Sequence, residues 1–197
     1  MEIDRTNIFL VRHGQTSRNL ENRWQGSKNS NLTNLGISQA KKTKELLNKF
    51  TIHNAYVSPL QRAQDTMNIL LEDNKMEVVV LDEIKELNLG PWEGQTHAET
   101  KDDNPTQFHN FWNKPNKFSL EGAESFEELQ QRVIKGLDYI FSKHVGRNIV
   151  VVSHWISIKV AIAYYCSNSL SILPSMDNPK NGEITCLSKV GNEVSLY

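Results

Sequence analysis

The chain has 197 residues, with 22 lysines and arginines against 23 aspartates and glutamates, a formal charge of −1. That balance excludes a bulk polyanion partner such as nucleic acid, which selects a basic footprint, and 38% hydrophobic with 23% charged residues fits a soluble globular class rather than a disordered or membrane one. The length suits one domain, residues 1–197, with room for a small inserted cap.

Met1-Glu2-Ile3-Asp4-Arg5 is polar where a signal peptide is apolar, and no apolar run reaches the length of a bilayer span. The expectation is a cytoplasmic protein with no membrane partner. The β-branched run Asn7–Val11 predicts a strand. A helix follows over residues 36–50, with Ile37, Ala40, Leu46 and Leu47 on one stripe. Ala55-Tyr56-Val57 predicts a second strand and residues 60–71 a second helix, with Ser58 as its cap and Pro59 in its first turn. Residues 78–81 predict a third strand. The segment 89–122 departs from this alternation: it holds three of the six prolines, Trp92 and Trp112, and the polar run Lys101-Asp102-Asp103-Asn104. It predicts an excursion over the sheet with a short helix from Pro105 to Trp112.

Residues 125–144 place Phe126, Leu129, Val133, Leu137, Ile140 and Phe141 at helical intervals. Asn148–Val152 is too continuously apolar for a strand with one wet face, so the strands should be covered on both sides. Residues 155–166 predict a further apolar helix, and 184–190 with 193–196 an edge hairpin around Gly191-Asn192. Strands alternating with helices predict an α/β fold: three α/β/α layers, a mostly parallel central sheet, an antiparallel edge strand and a small cap at 89–122. Cys166 and Cys186, outside any C-x-x-C pair or metal spacing, are expected to be ordinary buried thiols.

Two strands end in histidine. Asn7–Val11 runs into Arg12-His13-Gly14, and Asn148–Val152 into Ser153-His154. Ligands of open α/β sheets bind beyond the carboxyl ends of strands, so these histidines share a crevice if their strands are neighbours. Gly14 permits a positive φ or close ligand approach, and Arg12 offers a planar fork for phosphate oxygens. A third strand end supplies Arg62 in the first turn of a helix, where it opposes the helix dipole and gains nothing structurally. One carboxylate among Asp82, Glu83, Glu86 and Glu93 could protonate a departing oxygen. There is no G-x-x-x-x-G-K-[ST], H-E-x-x-H or G-x-G-x-x-G, and no cysteine followed by a phosphate-cradling loop.

Leu10-Val11-Arg12-His13-Gly14-Gln15-Thr16 with Asn19 resembles the signature of the histidine phosphatase superfamily, which includes the cofactor-dependent phosphoglycerate mutases. Arg23-Trp24-Gln25-Gly26 with Leu32–Gly36, Ser58–Thr66, Glu86 with Gly90 and Glu93-Gly94, Gly122–Phe126, and Val152-Ser153-His154 are similar to its later segments, in family order. The resemblance implies a phosphomonoesterase with His13 as nucleophile through a phosphohistidine and Glu86 as general acid and base. Arg12, Arg62 and His154 would hold the phosphoryl oxygens, and Asn19, Gln25, Gly26 and Trp155 would line the pocket. It implies no metal and no cofactor, and a small phosphorylated metabolite as partner; oligomeric state is left open. With His13 neutral and Glu86 protonated, activity should be bell-shaped and best at or below neutrality.

Trp155 stands where the family commonly has glycine, so its backbone N–H faces an anion while its indole either walls the entrance or packs inward. Asn29 and Asn31 replace residues that are often Asp and Pro, and Gln15 replaces a frequent Glu. Between Gly94 and Gly122 the chain offers only Lys101, Lys114 and Lys117 as cations, against the longer basic insertion of the mutases. A phosphatase is expected, with a mutase and a non-catalytic phospho-ligand binder as alternatives. Trp92, Phe108, Phe111 and Trp112 read as cap core or as cover for an apolar leaving group.

Overall fold

Period-two alternation splits each central strand between two cores. The computed structural model describes residues 5–197, so the polar Met1–Asp4 stretch read above lies outside the described residues. In β1 (Arg5–Arg12), Ile8 and Leu10 face one layer while Phe9 and Val11 face the other. In β4 (Asn148–Ser153), Ile149 and Val151 alternate in the same way with Val150 and Val152. Such double burial is why these runs are continuously apolar.

The short α1 (Ser17–Leu20) follows β1, and then come α2 (Asn34–Leu47), β2 (Asn54–Val57), α3 (Gln61–Leu70) and β3 (Val78–Val80). The cap holds α4 (His97–Asp103) and α5 (Pro105–Asn113). Then α6 (Phe126–Lys143), β4, α7 (Trp155–Ser167), β5 (Ile184–Val190) and β6 (Glu193–Leu196) complete the chain. The sheet order is β3-β2-β4-β1-β5-β6, parallel from β3 to β1, with β5 antiparallel to β1 and β6 to β5. The antiparallel margin is therefore two strands wide.

Ile8, Leu10, Tyr56, Ile149 and Val151 share a core with α6 and α7; Phe9, Val11, Ala55 and Val57 share the other with α2 and α3. Helix α6 buries all six residues of its predicted stripe, each contributing about 1.5–3 kcal/mol. Helix α2 departs from expectation. It buries Gly36, Ala40, Thr43 and Leu47, while Ile37 and Leu46 are exposed. The true stripe contains glycine and threonine, which a hydrophobicity count overlooks.

Three further expectations are corrected. Val79 and Val80 are exposed, because β3 is a sheet edge rather than a doubly covered strand. Helix α3 starts at Gln61, with Leu60 at its N-cap and no side-chain cap of its own; Ser58 Oγ accepts from Leu60 N–H and Asn29 Oδ1 from Gln61 N–H. Cys166 is exposed on the last turn of α7, and Cys186 is half-buried near the sheet margin. Among the described residues, no helix is long and apolar enough to cross a membrane.

The cap is built around aromatic rings. Trp24, Trp92, Phe111 and Phe118 are buried, Phe108 and Trp112 pack against them, and Trp24 stacks on Trp92 at 5.4 Å. These rings are core rather than cover. Helix α4 was not anticipated, although its capping box was legible: Thr96 Oγ1 accepts from Glu99 N–H, and Glu99 returns a bond to Thr96 N–H.

Candidate active site

Parallel pairing of β1 with β4 sets Arg12 opposite Ser153, so the following residues, His13 and His154, emerge together with ring centroids 5.2 Å apart. His13 is 2% exposed, and two partners fix its tautomer. Nδ1 lies 2.8 Å from Gly14 O, an acceptor that requires the proton there; Nε2 receives Arg62 Nε–H at 3.2 Å and must carry the lone pair. Burial first, then the charges of Arg62 and Arg12, holds the His13 imidazolium well below its ordinary pKa. His13 is therefore neutral, with its lone pair at Nε2.

Arg62 is fully buried. Its Nη1 donates to Lys28 O at 2.9 Å and its Nη2 to Gly26 O at 2.8 Å, so it anchors the 26–28 loop as well as facing His13. The expectation that it gains nothing structurally is thereby corrected. Gly26 sits at φ +51°, where a Cβ would fall 2.0 Å from Glu93 Oε1. Arg12 donates through Nη1 to Pro179 O at 2.6 Å, while its buried Nε has no partner among the described residues. Burial lowers both guanidinium groups to about 10, with Glu86 opposing, and both stay cationic near neutrality.

His154 is 0% exposed and does not line the cleft, contrary to the pocket role expected for it. Its Nε2 lies 2.7 Å from Ser58 Oγ, and its buried Nδ1 has no partner among the described residues. Burial, then Arg62 and His13, lowers its pKa well below the ordinary value.

Glu86 is 7% exposed, and its carboxylate accepts from Leu87 N–H at 3.0 Å and from Ile156 and Ser157 N–H at 3.3 Å. The N-terminus of α7, which has no side-chain cap of its own, thus meets a carboxylate from another segment. Trp155 N–H was expected to face an anion; the donors are the next two residues, and the anion is Glu86. Arg132 on α6 fixes that segment, donating to the carbonyls of Glu83, Lys85 and Glu86 while pairing with Glu124 at 2.6 Å.

Gly14 also differs from expectation. It does not adopt a positive φ, and its close approach is to protein: a Cβ there would lie 2.4 Å from Gly36 O, and one on Gly36 would lie 2.1 Å from Gln15 O. The two glycines let the His13 loop rest on the start of α2, with Gly14 N–H bonded to Thr66 Oγ1. Gly36→Ala drives a methyl into backbone, and it is expected to cost about 1–3 kcal/mol in urea denaturation together with a loss of orthophosphate affinity.

The resulting cleft has a volume of about 280 Å³ and includes Arg12, His13, Asn19, Gln25, Gly26, Arg62, Glu86 and Trp155 in its wall. Asn19 Oδ1 is tied to Thr16 and Asn181, and Gln25 Oε1 accepts from Thr16 Oγ1. The Trp155 indole is half-buried at the cleft, 5.8 Å from Arg12 Cζ, with Nε1 bonded to Asn178 Oδ1 at 3.0 Å. Sequence reasoning missed Asn178, Asn181 and His97, which also line the wall. Asn178 and Asn181 lie in an irregular segment that no strand end announces.

The geometry is that of an anion pocket: the guanidiniums of Arg12, Arg62 and Arg23 and the neutral ring of His13 beside the Glu86 carboxylate, with the His154 ring packed behind His13. The family model of the histidine phosphatase superfamily (branch 1) matches residues 8–196. A bifunctional protein of Mycobacterium tuberculosis, Rv2228c, is 34% identical over 158 residues, 80% of this chain but only 43% of that longer protein. Phosphoserine phosphatase 1 of Hydrogenobacter thermophilus is 31% identical over 160 residues, 81% of this chain and 74% of that one. The solved structure of Bacillus stearothermophilus YhfR superposes with a TM-score of 0.94 at 28% identity, covering 97% of this chain and 95% of that one. With His13, both arginines and the carboxylate in one cleft, His154 packed against His13 behind it, and a match running nearly end to end, the chain belongs to the histidine phosphatase superfamily, branch 1.

Proposed function

We propose that this chain is a metal-independent phosphomonoesterase, acting as one domain with 89–122 as its cap, that hydrolyses a small phosphorylated metabolite through a phosphohistidine at His13. What carries the assignment is the tautomer of His13: a neutral ring with its lone pair at Nε2, held in the cleft beside Arg62. In-line attack forms the Nε2–P bond and breaks the P–O bond to the leaving group; water then cleaves the Nε2–P bond and releases orthophosphate. Arg12 and Arg62 neutralise the phosphoryl oxygens, which is the largest part of catalysis of this kind. The unpartnered Arg12 Nε is a donor left for those oxygens, and His154, with Nε2 on Ser58 Oγ, backs the His13 ring from behind the cleft. Glu86 in its protonated form gives its proton to the leaving alkoxide, and the resulting carboxylate then takes a proton from the water whose hydroxyl oxygen bonds to phosphorus.

A cleft of about 280 Å³ suits a small ester. Lys101, Lys114 and Lys117 are exposed and outside it, which favours a hydrolase over a mutase that grips a second anion. A cytoplasmic setting agrees with cysteines that are unpaired.

Release of orthophosphate from p-nitrophenyl phosphate in excess EDTA tests the assignment. The acid limb of kcat/KM should lie below pH 6.5, because burial between two cations lets the His13 proton leave at lower pH and keeps the nucleophile available. Above about pH 10, loss of the Arg12 and Arg62 charges should lower kcat/KM. Turnover that EDTA abolishes overturns metal independence. Turnover of 3-phosphoglycerate only with 2,3-bisphosphoglycerate, giving its isomer, would establish the mutase, and phosphate binding without turnover would establish a binder.

A further inference from the structure

Lys159 is a buried ammonium, 9% exposed, on α7. Its Nζ donates to Leu173 O at 2.9 Å, Met176 O at 3.1 Å and Asn178 Oδ1 at 2.9 Å, so its three protons meet three uncharged oxygens. Burial lowers its pKa, with Asp177 as the opposing charge. A charge taken out of water without a paired carboxylate is costly, and a neutral side chain would fill the same volume at less cost.

The segment it grips is the one that touches the site. Pro179 O receives Arg12 Nη1, Asn181 Nδ2 donates to His13 O at 3.0 Å, and Asn178 Oδ1 receives Trp155 Nε1. Beyond these, Gly182 N–H donates to Arg12 O at 2.9 Å. Trp155 and Lys159 stand four residues apart on one face of α7 and converge on the same amide oxygen. Arg12 and the indole wall therefore take their positions from a stretch, residues 173–181, that is mostly irregular chain.

We propose that Lys159 is a positioning residue for the phosphoester site: by pinning residues 173–178 it sets the Arg12 guanidinium against the phosphoryl group and the Trp155 indole against the leaving group. This deepens the phosphatase assignment and rests on it. Two variants test it: Lys159→Met, which keeps the stem and removes the three bonds, and Asn178→Ala, which removes the shared oxygen without burying a new charge.

Orthophosphate affinity is read by titration calorimetry, independently of turnover, alongside KM and kcat for p-nitrophenyl phosphate. Both variants should weaken orthophosphate about tenfold and raise KM more than they lower kcat, while Lys159→Arg restores part of the affinity. A purely structural role would lower the melting temperature and leave orthophosphate affinity and KM per folded molecule at wild-type values; that result overturns the proposal. If Lys159→Met does not fold, Lys159→Gln, which keeps one shorter donor and no charge, decides in its place, because Asn178 itself lines the cleft. Wild-type protein that binds orthophosphate but releases none from the ester would instead fail the phosphatase assignment.

Discussion

His13→Ala is expected to lower turnover of p-nitrophenyl phosphate by at least about 10⁴-fold, because loss of an attacking group removes a whole pathway rather than one contact. Orthophosphate binding should survive. Arg12 and Arg62 remain, and Arg62 Nε, relieved of its bond to His13 Nε2, gains a donor for the ligand. Alanine leaves Gly14 O and that Nε without their imidazole partner, so stability should fall by about 1–3 kcal/mol. It also removes a ring that resists protonation, so the loss should be smaller at low pH than at neutral pH. The decisive readout is covalent. Wild-type protein quenched during turnover of ³²P-labelled ester should carry an acid-labile, alkali-stable label that His13→Ala lacks. Equal labelling of the two proteins, or residual turnover within tenfold of wild type, would assign the nucleophile elsewhere.

Much of this site was legible because its chemistry sits at strand ends. Two continuously apolar strands that terminate in histidine can be recognised without coordinates, and their parallel pairing is what brings His13 and His154 together. Glu86 was harder: residues alone left it among four carboxylates, and only the family resemblance singled it out. Its physical signature, capping the bare N-terminus of α7 from another segment, exists only in three dimensions. Asn178 and Asn181 were invisible for the same reason, since their role depends on how the chain returns from α7 to β5.

The errors have a common cause as well. Gly14 was read by itself, whereas it acts with Gly36: Gly36 backbone fills the space of the missing Gly14 Cβ, and Gln15 backbone fills that of Gly36. Arg62 was read against its own helix, whereas its partners are carbonyls more than thirty residues away. Sequence periodicity reports what an element buries. It is silent on which distant backbone a polar side chain finds.

Glu86→Gln separates proton transfer from everything else this carboxylate does. Glutamine keeps an acceptor oxygen for Leu87 and Ser157 N–H, which share Oε1, and withdraws the Oε2 acceptor of Ile156 N–H, so the fold should hold with about 1–3 kcal/mol lost. The amide cannot protonate an alkoxide, and general acid catalysis is worth about 10²–10⁴-fold. The loss should therefore scale with how much the leaving group needs a proton. For an alkyl phosphate, kcat/KM is expected to fall by about 10³-fold, whereas p-nitrophenolate departs unaided and that ester should lose about tenfold or less. Removal of a negative charge from a cleft that binds an anion works in the opposite direction on affinity. Arg12 and Arg62 both feel Glu86 as their principal opposing charge, so orthophosphate should bind the variant at least as tightly as the wild type. An equal loss on both esters would mean that Glu86 shapes the cleft rather than moving a proton, and the acid would then have to be sought elsewhere in the wall.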